Sequence, residues 1–373
     1  MPEVLDWRSA ADPRPLVYRA ARALAEGEVV AFPTDTVYAL AASALVPEAV
    51  EKLCRSKKCG DGRPMTLALR GAGEAPDWVP EMSPLGRRLT RRCWPGPVTF
   101  VFGGAEQGLV SRLAEPVRRR VCPSGSVGLR APAHRAILGA LQLLPGPLVL
   151  SSANPTGAPP ATTAPAVVEA LGEDVAVIID DGPTHLGRSS TVVRVDGSAW
   201  SVLREGPMSA EVLGRQTSCL IVFVCTGNTC RSPLAEGLFK KKLADRLGCA
   251  VDELPARGFL VISAGLAAMM GGAAAAEAVE AATAYGADLS GHVSQPLTPE
   301  LAAQADYLVA MTRGHLLSLS AGFPGTGARV RLLSPAGEDV SDPIGAEQQV
   351  YRECAEQIWG YLDHLAAEIT GSV

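Results

Sequence analysis

The sequence predicts two α/β units in one chain, and three observations lead to this prediction. The chain has 373 residues, enough for about two domains of 150–200 residues each. Short apolar runs typical of strands alternate with helical patterns along its length. A polar segment near 209–217 interrupts them, and an unbroken apolar run typical of a parallel sheet follows. We therefore expect a first domain over 1–208, a linker over 209–217 and a second domain over 218–373.

The first domain is expected to hold a twisted sheet covered by helices. An alanine-rich helical pattern over 16–26 ends at Gly27, and the apolar run 29–32 follows as a strand. Further strands are predicted at 65–69, 98–102, 127–129, 148–150, 175–179 and 191–195, with a helix at 133–144. This mixture is typical of α/β or α+β domains.

The second domain is expected to hold a parallel sheet. Its first strand, 219–224, precedes a loop and a helix over 233–247. Later strands are predicted at 260–262, 307–310 and 330–333, between helical stretches. The alanine- and glycine-rich segment 267–284 predicts a loop that enters a helix of small residues.

Composition and charge exclude several classes of protein. Hydrophobic residues make up 47% of the chain and charged residues 20%, which excludes wholesale disorder. A net charge of −5 argues against binding through basicity of the whole chain. We find no secretory signal and no apolar run of about 20 residues, so we expect a cytoplasmic protein without a membrane partner. Nine cysteines without paired spacing and five histidines predict reduced thiols and no metal site.

One segment of the second domain predicts a catalytic site. It runs from Cys225 to Pro233 and has the sequence Cys-Thr-Gly-Asn-Thr-Cys-Arg-Ser-Pro. In a loop of this size before a helix, backbone N–H groups converge on one anion. Gly227 and Asn228 tolerate the positive φ angles that the curl requires. Arg231 offers a planar fork to two phosphate oxygens. The same donors stabilise a thiolate at Cys225, which predicts a nucleophile.

Other residues complete this predicted site. Ser232 can hydrogen-bond the thiolate, and Pro233 suits the first position of a helix. The leaving group needs an acid, for which Asp342 in the loop 337–345 is the candidate, with helix capping as the alternative. Besides Cys225 and Arg231, the predicted phosphate-loop residues are Thr226, Gly227, Asn228, Thr229, Cys230 and Ser232.

Residues 219–368 resemble the low-molecular-weight protein-tyrosine-phosphatase family. Besides the loop, the matching pieces are Ile262-Ser-Ala-Gly265, Asp288-Leu-Ser-Gly-His292, Ala305-Asp-Tyr-Leu-Val-Ala-Met311 and Asp342-Pro343. The resemblance implies that Cys225 attacks phosphorus, Arg231 binds phosphate and Asp342 is the general acid. It also implies a phosphorylated protein substrate and no cofactor.

Three positions bear on the substrate and on regulation. Thr226 resembles the branch of the family that hydrolyses phosphoarginine, because a small polar side chain leaves room for a guanidinium group. Ile344 stands where many members carry an aromatic residue, so phosphotyrosine and phosphoarginine both remain open. In the family, a cysteine placed like Cys230 can form a reversible disulfide that protects the nucleophile, and a packed loop thiol is the alternative.

Short polar segments lie beside the predicted strands of the first domain. Examples are Thr34-Asp-Thr36, the basic loop Arg55-Ser-Lys-Lys58 and Ser151-Ser-Ala-Asn154. Strand ends often bind ligands in α/β sheets, and hydroxyl and amide groups suit phosphate or carboxylate. Each segment alone is equally compatible with a turn or a solvated surface.

Taken together, residues 14–207 resemble the YrdC-like family. The matching pieces are Pro33-Thr-Asp-Thr-Val-Tyr38, Trp94-Pro-Gly-Pro-Val-Thr99, Val127-Gly-Leu-Arg-Ala-Pro132, Ser151-Ser-Ala-Asn154, Ser190-Thr-Val-Val193 and Leu203-Arg204. Enzymatic members condense L-threonine, bicarbonate and ATP into threonylcarbamoyl-AMP and pyrophosphate, and a separate complex transfers the group to tRNA. The resemblance implies these substrates, that partner and Mg²⁺, which gathers charge as pyrophosphate leaves.

The resemblance also implies site residues. Thr34 is expected to contact threonine. The residues expected to line the ATP and adduct site are Lys57, Arg130, Ser152, Asn154, Thr162, Ser190 and Arg204.

One departure keeps an alternative open for the first domain. The family usually has Lys-x-Arg in the basic loop, whereas Lys57 is followed two positions later by Cys59, and Arg63 lies further on. The alternative is a non-catalytic RNA- or nucleotide-binding module. Arg87, Arg88, Arg91 and Arg92 could form a basic helix face for weak binding of RNA, including double-stranded RNA, although a solvated face explains them as well.

Overall fold

A computed structural model describes residues 1–58, 64–324 and 329–371. The chain divides into a first unit, Met1–Gln216, and a second unit, Thr217–Val373. The predicted linker 209–217 holds a helix, Ala210–Thr217, whose Leu213 is fully buried in the core of the first unit. This segment is therefore part of the packed first unit over most of its length.

The first unit is built on a mixed sheet that has ten strands among the described residues. They are β1 (Glu3–Asp6), β2 (Val30–Phe32), β3 (Ala39–Ser43), β4 (Thr66–Ala68), β5 (Val98–Phe102), β6 (Val127–Arg130), β7 (Leu148–Ser152), β8 (Val177–Asp180), β9 (Thr191–Asp196) and β10 (Ala199–Arg204). Their order is β1-β8-β2-β3-β7-β4-β6-β5-β9-β10. The predicted strands are all present, whereas β1, β3 and β10 were not predicted.

Helices cover both faces of this sheet. They are α1 (Arg14–Ala25), α2 (Pro47–Ser56), α3 (Ala75–Trp78), α4 (Pro84–Cys93), α5 (Glu115–Val121), α6 (Arg135–Leu143), α7 (Ala164–Leu171) and α8 (Ala210–Thr217). Val30 and Phe32 of β2 lie in a core with α1 and α6, whereas Ala31 lies in the larger core. Successive residues of a strand point to opposite faces, so β2 is buried on both.

The second unit has a parallel sheet, as the sequence predicts, with four strands in the part of the chain that the structure describes. The strands β11 (Cys219–Cys225), β12 (Phe259–Gly265), β13 (Tyr307–Ala310) and β14 (Val330–Leu332) have the order β12-β11-β13-β14. The helices are α9 (Arg231–Leu247), α10 (Ala276–Thr283), α11 (Pro299–Gln304), α12 (Arg313–Gly322) and α13 (Gln348–Gly371). Alternate residues of β11 contribute to two separate cores, which explains its unbroken apolar sequence.

The sheet topology sets the position of the nucleophile. Cys225 ends β11, an inner strand, and pairs in register with Gly265 at the end of β12. Ligand sites of open parallel sheets lie beyond the carboxyl ends of such strands. Within the described ranges, no helix is long and apolar enough to span a membrane.

Candidate functional sites

The phosphate loop of the second unit, residues 225–231, joins β11 to α9. The thiol of Cys225 is buried, the backbone N–H of Asn228 donates to its Sγ at 3.3 Å, and Ser232 Oγ lies 3.0 Å from Sγ. The contact predicted for Ser232 is therefore present. Helix α9 begins at Arg231, so Pro233 is its third residue and the prediction of the first position was wrong. Both polar contacts stabilise negative charge on the sulfur.

Asn228 gives the loop its curl. The φ of Asn228 is 56°, in the left-handed region, whereas the φ of Gly227 is not positive. The prediction of positive φ is therefore confirmed for Asn228 only. Its Nδ2 donates to Ser232 Oγ at 2.9 Å and to Ser263 Oγ at 2.8 Å. Its Oδ1 accepts from the backbone N–H of Gln295 at 2.9 Å. This side chain holds the loop in a conformation that costs free energy for residues other than glycine.

Neighbouring segments buttress the loop. Ser263 Oγ donates to Glu236 Oε2 at 2.6 Å, and His292 Nε2 lies 2.8 Å from the carbonyl oxygen of Asn228. A Cβ on Gly265 would lie 2.5 Å from the carbonyl oxygen of Thr226, so only glycine fits there. The sequence showed Ser263, Gly265 and His292 within matching motifs but assigned them no role.

The predicted acid meets the predicted phosphate-binding arginine. Arg231 Nη2 donates to Asp342 Oδ2 at 2.6 Å, with the guanidinium buried and the carboxylate half-exposed. Helix α13 begins only at Gln348, so Asp342 does not cap it. Ile344, two residues after Asp342, is 68% exposed. The carboxylate therefore lies between the phosphate loop and solvent, where a general acid must act.

Two further cysteines bear on the loop, Cys230 within it and Cys354 in α13. Cys230 is buried, and its Sγ lies 3.4 Å from the hydroxyl of Tyr351. Burial and this contact raise the pKa of Tyr351. Burial raises the pKa of the Cys354 thiol to about 12, which keeps it protonated at neutral pH. No disulfide joins the cysteines that the structure describes.

A histidine that the sequence analysis did not single out contacts the loop. His315 is 7% exposed, and its Nε2 lies 2.9 Å from Thr226 Oγ1. Its Nδ1 lies 2.9 Å from Oγ1 of Thr312, the N-cap residue of α12. Burial, aided by Arg231, lowers the pKa of His315. The imidazole is therefore neutral at pH 7.

The first unit contains a cavity that is open to solvent. Five predicted site residues line it, namely Thr34, Arg130, Ser152, Ser190 and Arg204. The other hydroxyl residues of its wall are Thr36, Thr66, Thr99, Ser151 and Ser189, of which Thr36 and Ser151 belong to polar segments that the sequence already indicates. A wall of hydroxyl and guanidinium groups suits an anionic ligand.

Contacts within the protein orient both guanidinium groups. Arg130 Nη2 donates to Asp35 Oδ1 at 2.7 Å and to Thr36 Oγ1 at 3.0 Å. Arg204 Nη2 donates to the carbonyl oxygen of Ser190 at 2.8 Å. Burial lowers the pKa of both arginines, and Asp35 opposes this effect at Arg130. Both remain charged, because the ordinary pKa of arginine lies so high.

The other predicted residues of this site do not line the cavity. Lys57 is buried, and its Nζ donates to the carbonyl oxygens of Ser152 at 2.6 Å and of Asn154 at 2.5 Å. Lys57 therefore holds the segment that follows β7, and Asn154 is part of that contact. Thr162 also lies outside the cavity wall. Cys59 and Arg63, on which the departure in the basic loop depends, lie outside the described residues.

Helix α4 does not present its four arginines as one solvated face. Arg88 is only 6% exposed, and Arg92 Nη1 donates to the carbonyl oxygen of Gln216 at 2.8 Å. Arg87 Nε donates to the carbonyl oxygen of Met82 at 3.2 Å. The packing of this helix therefore accounts for Arg88 and Arg92, whereas Arg87 is exposed.

Comparisons with known proteins assign the two units to different families. Residues 22–206 match the model of the Sua5–YciO–YrdC family, described as "Telomere recombination". Residues 220–373 match the model described as "Low molecular weight phosphotyrosine protein phosphatase".

Curated relatives match one unit each. A putative threonylcarbamoyl-AMP synthase of Mycobacterium tuberculosis is 34% identical over 208 residues, which cover 55% of this chain and 92% of that protein. The protein-arginine-phosphatase of Bacillus subtilis is 39% identical over 153 residues, which cover 40% of this chain and 95% of that protein. The chain spans 58% of the length of the Bacillus subtilis threonylcarbamoyl-AMP synthase, to which it is 31% identical over 209 residues.

A solved structure of a Pyrococcus abyssi Sua5 variant resembles the chain at the level of fold. Its TM-score is 0.51 at 20% identity, and the match covers 89% of this chain and 98% of that one.

Proposed function

The chain belongs to the Sua5–YciO–YrdC family in its first unit and to the low molecular weight phosphotyrosine protein phosphatase family in its second, and on this basis we propose that it is a bifunctional enzyme. The first unit condenses L-threonine, bicarbonate and ATP into threonylcarbamoyl-AMP and pyrophosphate, for transfer to tRNA by a separate complex. The second unit hydrolyses a phosphorylated protein side chain. Both reactions belong in the cytoplasm, where these substrates occur together.

The phosphatase proposal rests above all on the contact between Arg231 and Asp342, which places both groups at the loop that begins with Cys225. The thiolate of Cys225 attacks phosphorus, while Arg231 and the backbone N–H groups of the loop bind the phosphoryl oxygens. Asp342 protonates the leaving group, and a phosphocysteine forms. Asp342 then accepts a proton from the water that attacks phosphorus, the S–P bond breaks, and phosphate and the Cys225 thiolate are released.

Replacement of the nucleophile tests this mechanism. Cys225→Ser should abolish hydrolysis of p-nitrophenyl phosphate, because the serine hydroxyl is a far weaker nucleophile than a thiolate at neutral pH. Cys249→Ser, which changes a thiol outside the site, is the matched control and should retain activity. Hydrolysis that survives in Cys225→Ser would refute the mechanism.

We propose phosphoarginine as the substrate class and phosphotyrosine as its rival. The exposed aliphatic Ile344 beside Asp342 offers no ring to stack on a phosphotyrosine, and Thr226 places a small polar group beside the nucleophile. The similarity to a protein-arginine-phosphatase supports the same choice. A higher kcat/KM for phosphoarginine peptides than for matched phosphotyrosine peptides is expected, and the opposite ratio would reverse the assignment.

The synthase proposal rests above all on the cavity that Thr34, Arg130, Ser152, Ser190 and Arg204 line. The carboxylate oxygen of N-carboxythreonine attacks the α-phosphorus of ATP, and pyrophosphate leaves. Arg130 and Arg204 offset the charge on the phosphates, and hydroxyl groups orient them. The described residues include no cluster of three or more metal-binding side chains. We therefore treat Mg²⁺ as part of the ATP substrate, held by its phosphates and water.

Pyrophosphate release by the full chain tests this proposal. With ATP and Mg²⁺, release should require both threonine and bicarbonate. Arg204→Ala should reduce it, whereas Arg194→Ala, which alters an exposed ion pair, should not. Absence of release from a chain with an active phosphatase would support a binding module instead, and salt-dependent RNA affinity would then identify the ligand. The bonding of Lys57 to protein carbonyl oxygens is the observation that favours this rival.

A further inference from the structure

His315 connects the phosphate loop to the beginning of helix α12. Its two ring nitrogens contact two hydroxyl groups, Thr226 in the loop and Thr312 at the helix N-cap, each at 2.9 Å. The Thr312 hydroxyl also accepts from the backbone N–H of His315 at 3.2 Å. The ring is 7% exposed, so these contacts fix its orientation.

The surrounding charges favour one tautomer of the neutral ring. Nδ1 lies beside the N-terminus of α12, where the positive end of the helix dipole favours a lone pair over an N–H. Nε2 faces the phosphate loop, where a thiolate and a bound phosphoryl group carry negative charge and favour an N–H. The Thr312 hydroxyl therefore donates to Nδ1, and Nε2–H donates to Thr226 Oγ1.

This arrangement determines what the Thr226 hydroxyl can do. A hydroxyl group has one proton to donate and two lone pairs that accept. Because Nε2–H donates to one lone pair of the Thr226 hydroxyl, Thr226 does not donate its own proton to His315. Thr226 is exposed and directly follows the nucleophile, so its proton can be donated to an acceptor in the cleft.

We propose that His315 is a positioning residue of the phosphatase site, which orients the Thr226 hydroxyl to donate a hydrogen bond to the bound phosphoryl group. The proposal rests on the phosphatase activity proposed for the second unit. It assigns to Thr226 a contact with the phosphoryl group, which phosphotyrosine and phosphoarginine share, in addition to any role in accommodating the leaving group.

The charged groups around His315 are consistent with a neutral ring during turnover. Arg231 of α9 opposes protonation, whereas Asp339 and Asp342 of the loop before α13 favour it, and burial outweighs both carboxylates. Acidification would protonate Nδ1 and break its acceptor contact with Thr312.

Two matched substitutions of His315 test the contributions of its two ring nitrogens separately. Glutamine places an amide N–H near the position of Nε2 and can still donate to Thr226, whereas asparagine reaches only as far as Nδ1. Thr226→Val removes the hydroxyl at nearly constant volume. A hydrogen bond to a charged acceptor changes affinity by about tenfold or more. We therefore expect His315→Asn and Thr226→Val each to weaken the binding of inorganic phosphate by about tenfold, and His315→Gln to stay close to the unaltered protein.

The kinetic pattern distinguishes positioning from structural support. For p-nitrophenyl phosphate, KM should rise by the same factor as the Kd of phosphate, with kcat nearly unchanged, because the contact exists in both the ground state and the transition state. The double variant His315→Asn/Thr226→Val should lose no more than either single variant. Losses that add up, or a fall in kcat with unchanged phosphate affinity, would overturn the proposal.

A measurement that needs no turnover completes the test. Phosphate affinity is measured by nuclear magnetic resonance titration of the full chain, and the ¹⁵N shifts of His315 report its tautomer. A proton on Nδ1 at pH 7 would overturn the proposal even in an active enzyme. If the protein binds phosphate with the expected pattern but hydrolyses no phosphorylated substrate, the proposed phosphatase function fails and the positioning role stands.

Discussion

At the scale of single residues, Asp35 has a role that its sequence position does not reveal. Its carboxylate accepts hydrogen bonds from Arg130 at 2.7 Å and from the backbone N–H of Ala133 at 3.0 Å. The side chains of Asp35 and Arg130 are 13% and 9% exposed. Removal of one partner of a buried ion pair leaves a charge without compensation, and this is far more costly than loss of a surface pair.

We predict that Asp35→Ala lowers the free energy of unfolding of the first unit by about 3 kcal/mol. It should also reduce pyrophosphate release, because Arg130 loses the contact that orients it. Asp196→Ala, which breaks an exposed pair with Arg194, should change stability by less than about 0.5 kcal/mol. Urea unfolding measures both, and equal effects of the two variants would contradict the prediction.

His134 should make the first unit sensitive to acid. Burial, opposed by Asp181, lowers the pKa of His134 below its usual 6.5. The unfolded chain then binds more protons below about pH 6.5, so the free energy of unfolding falls as the pH drops towards the folded-state pKa. The ring caps α6 by accepting from Ala136 N at 3.2 Å, and asparagine can cap in the same way. His134→Asn should therefore show a smaller loss of stability between pH 7 and 5, and an unchanged slope would contradict this.

At the scale of elements, the end of β12 determines whether the phosphate loop can form. A Cβ on Gly265 would lie 2.5 Å from the Thr226 carbonyl oxygen and 2.7 Å from Ala268 Cβ. We predict that Gly265→Ala displaces the loop and lowers phosphatase kcat/KM by about 100-fold, as misplacement of catalytic groups by about 1 Å does. Gly291→Ala, where a Cβ would meet open space, is the matched control. Activity assays compare kcat/KM of the two variants, and crystallography compares the position of the phosphate loop. An undisplaced loop with full activity in Gly265→Ala would contradict the prediction.

The elements also show what sequence patterns can and cannot predict. β11 and the loop after it were predictable because a buried parallel strand and a strand–loop–helix anion site have local signatures. β3 was missed because alanine is uncommon in strands, and its sequence Ala-Leu-Ala-Ala-Ser is stabilised by burial between β2 and β7. His315 lies 89 residues from Thr226, so only the pairing of β11 with β13 brings them together.

At the scale of the whole molecule, each unit matches nearly the full length of a separate protein. The first unit accounts for 92% of a mycobacterial relative and the second for 95% of the Bacillus subtilis phosphatase. The residues proposed for each reaction also lie entirely within one unit. Each unit therefore contains all the residues that we propose for its own reaction.

We predict that the two activities can be removed separately in the full chain. Cys225→Ser should leave pyrophosphate release within about twofold of the unaltered protein, and Arg204→Ala should leave phosphatase kcat/KM within the same range, since sites that share no partners respond independently. Parallel assays of both variants, each with both substrates, measure this. A larger loss of the second activity in either variant would mean that one site depends on the other, and the double variant would then measure the coupling free energy between them.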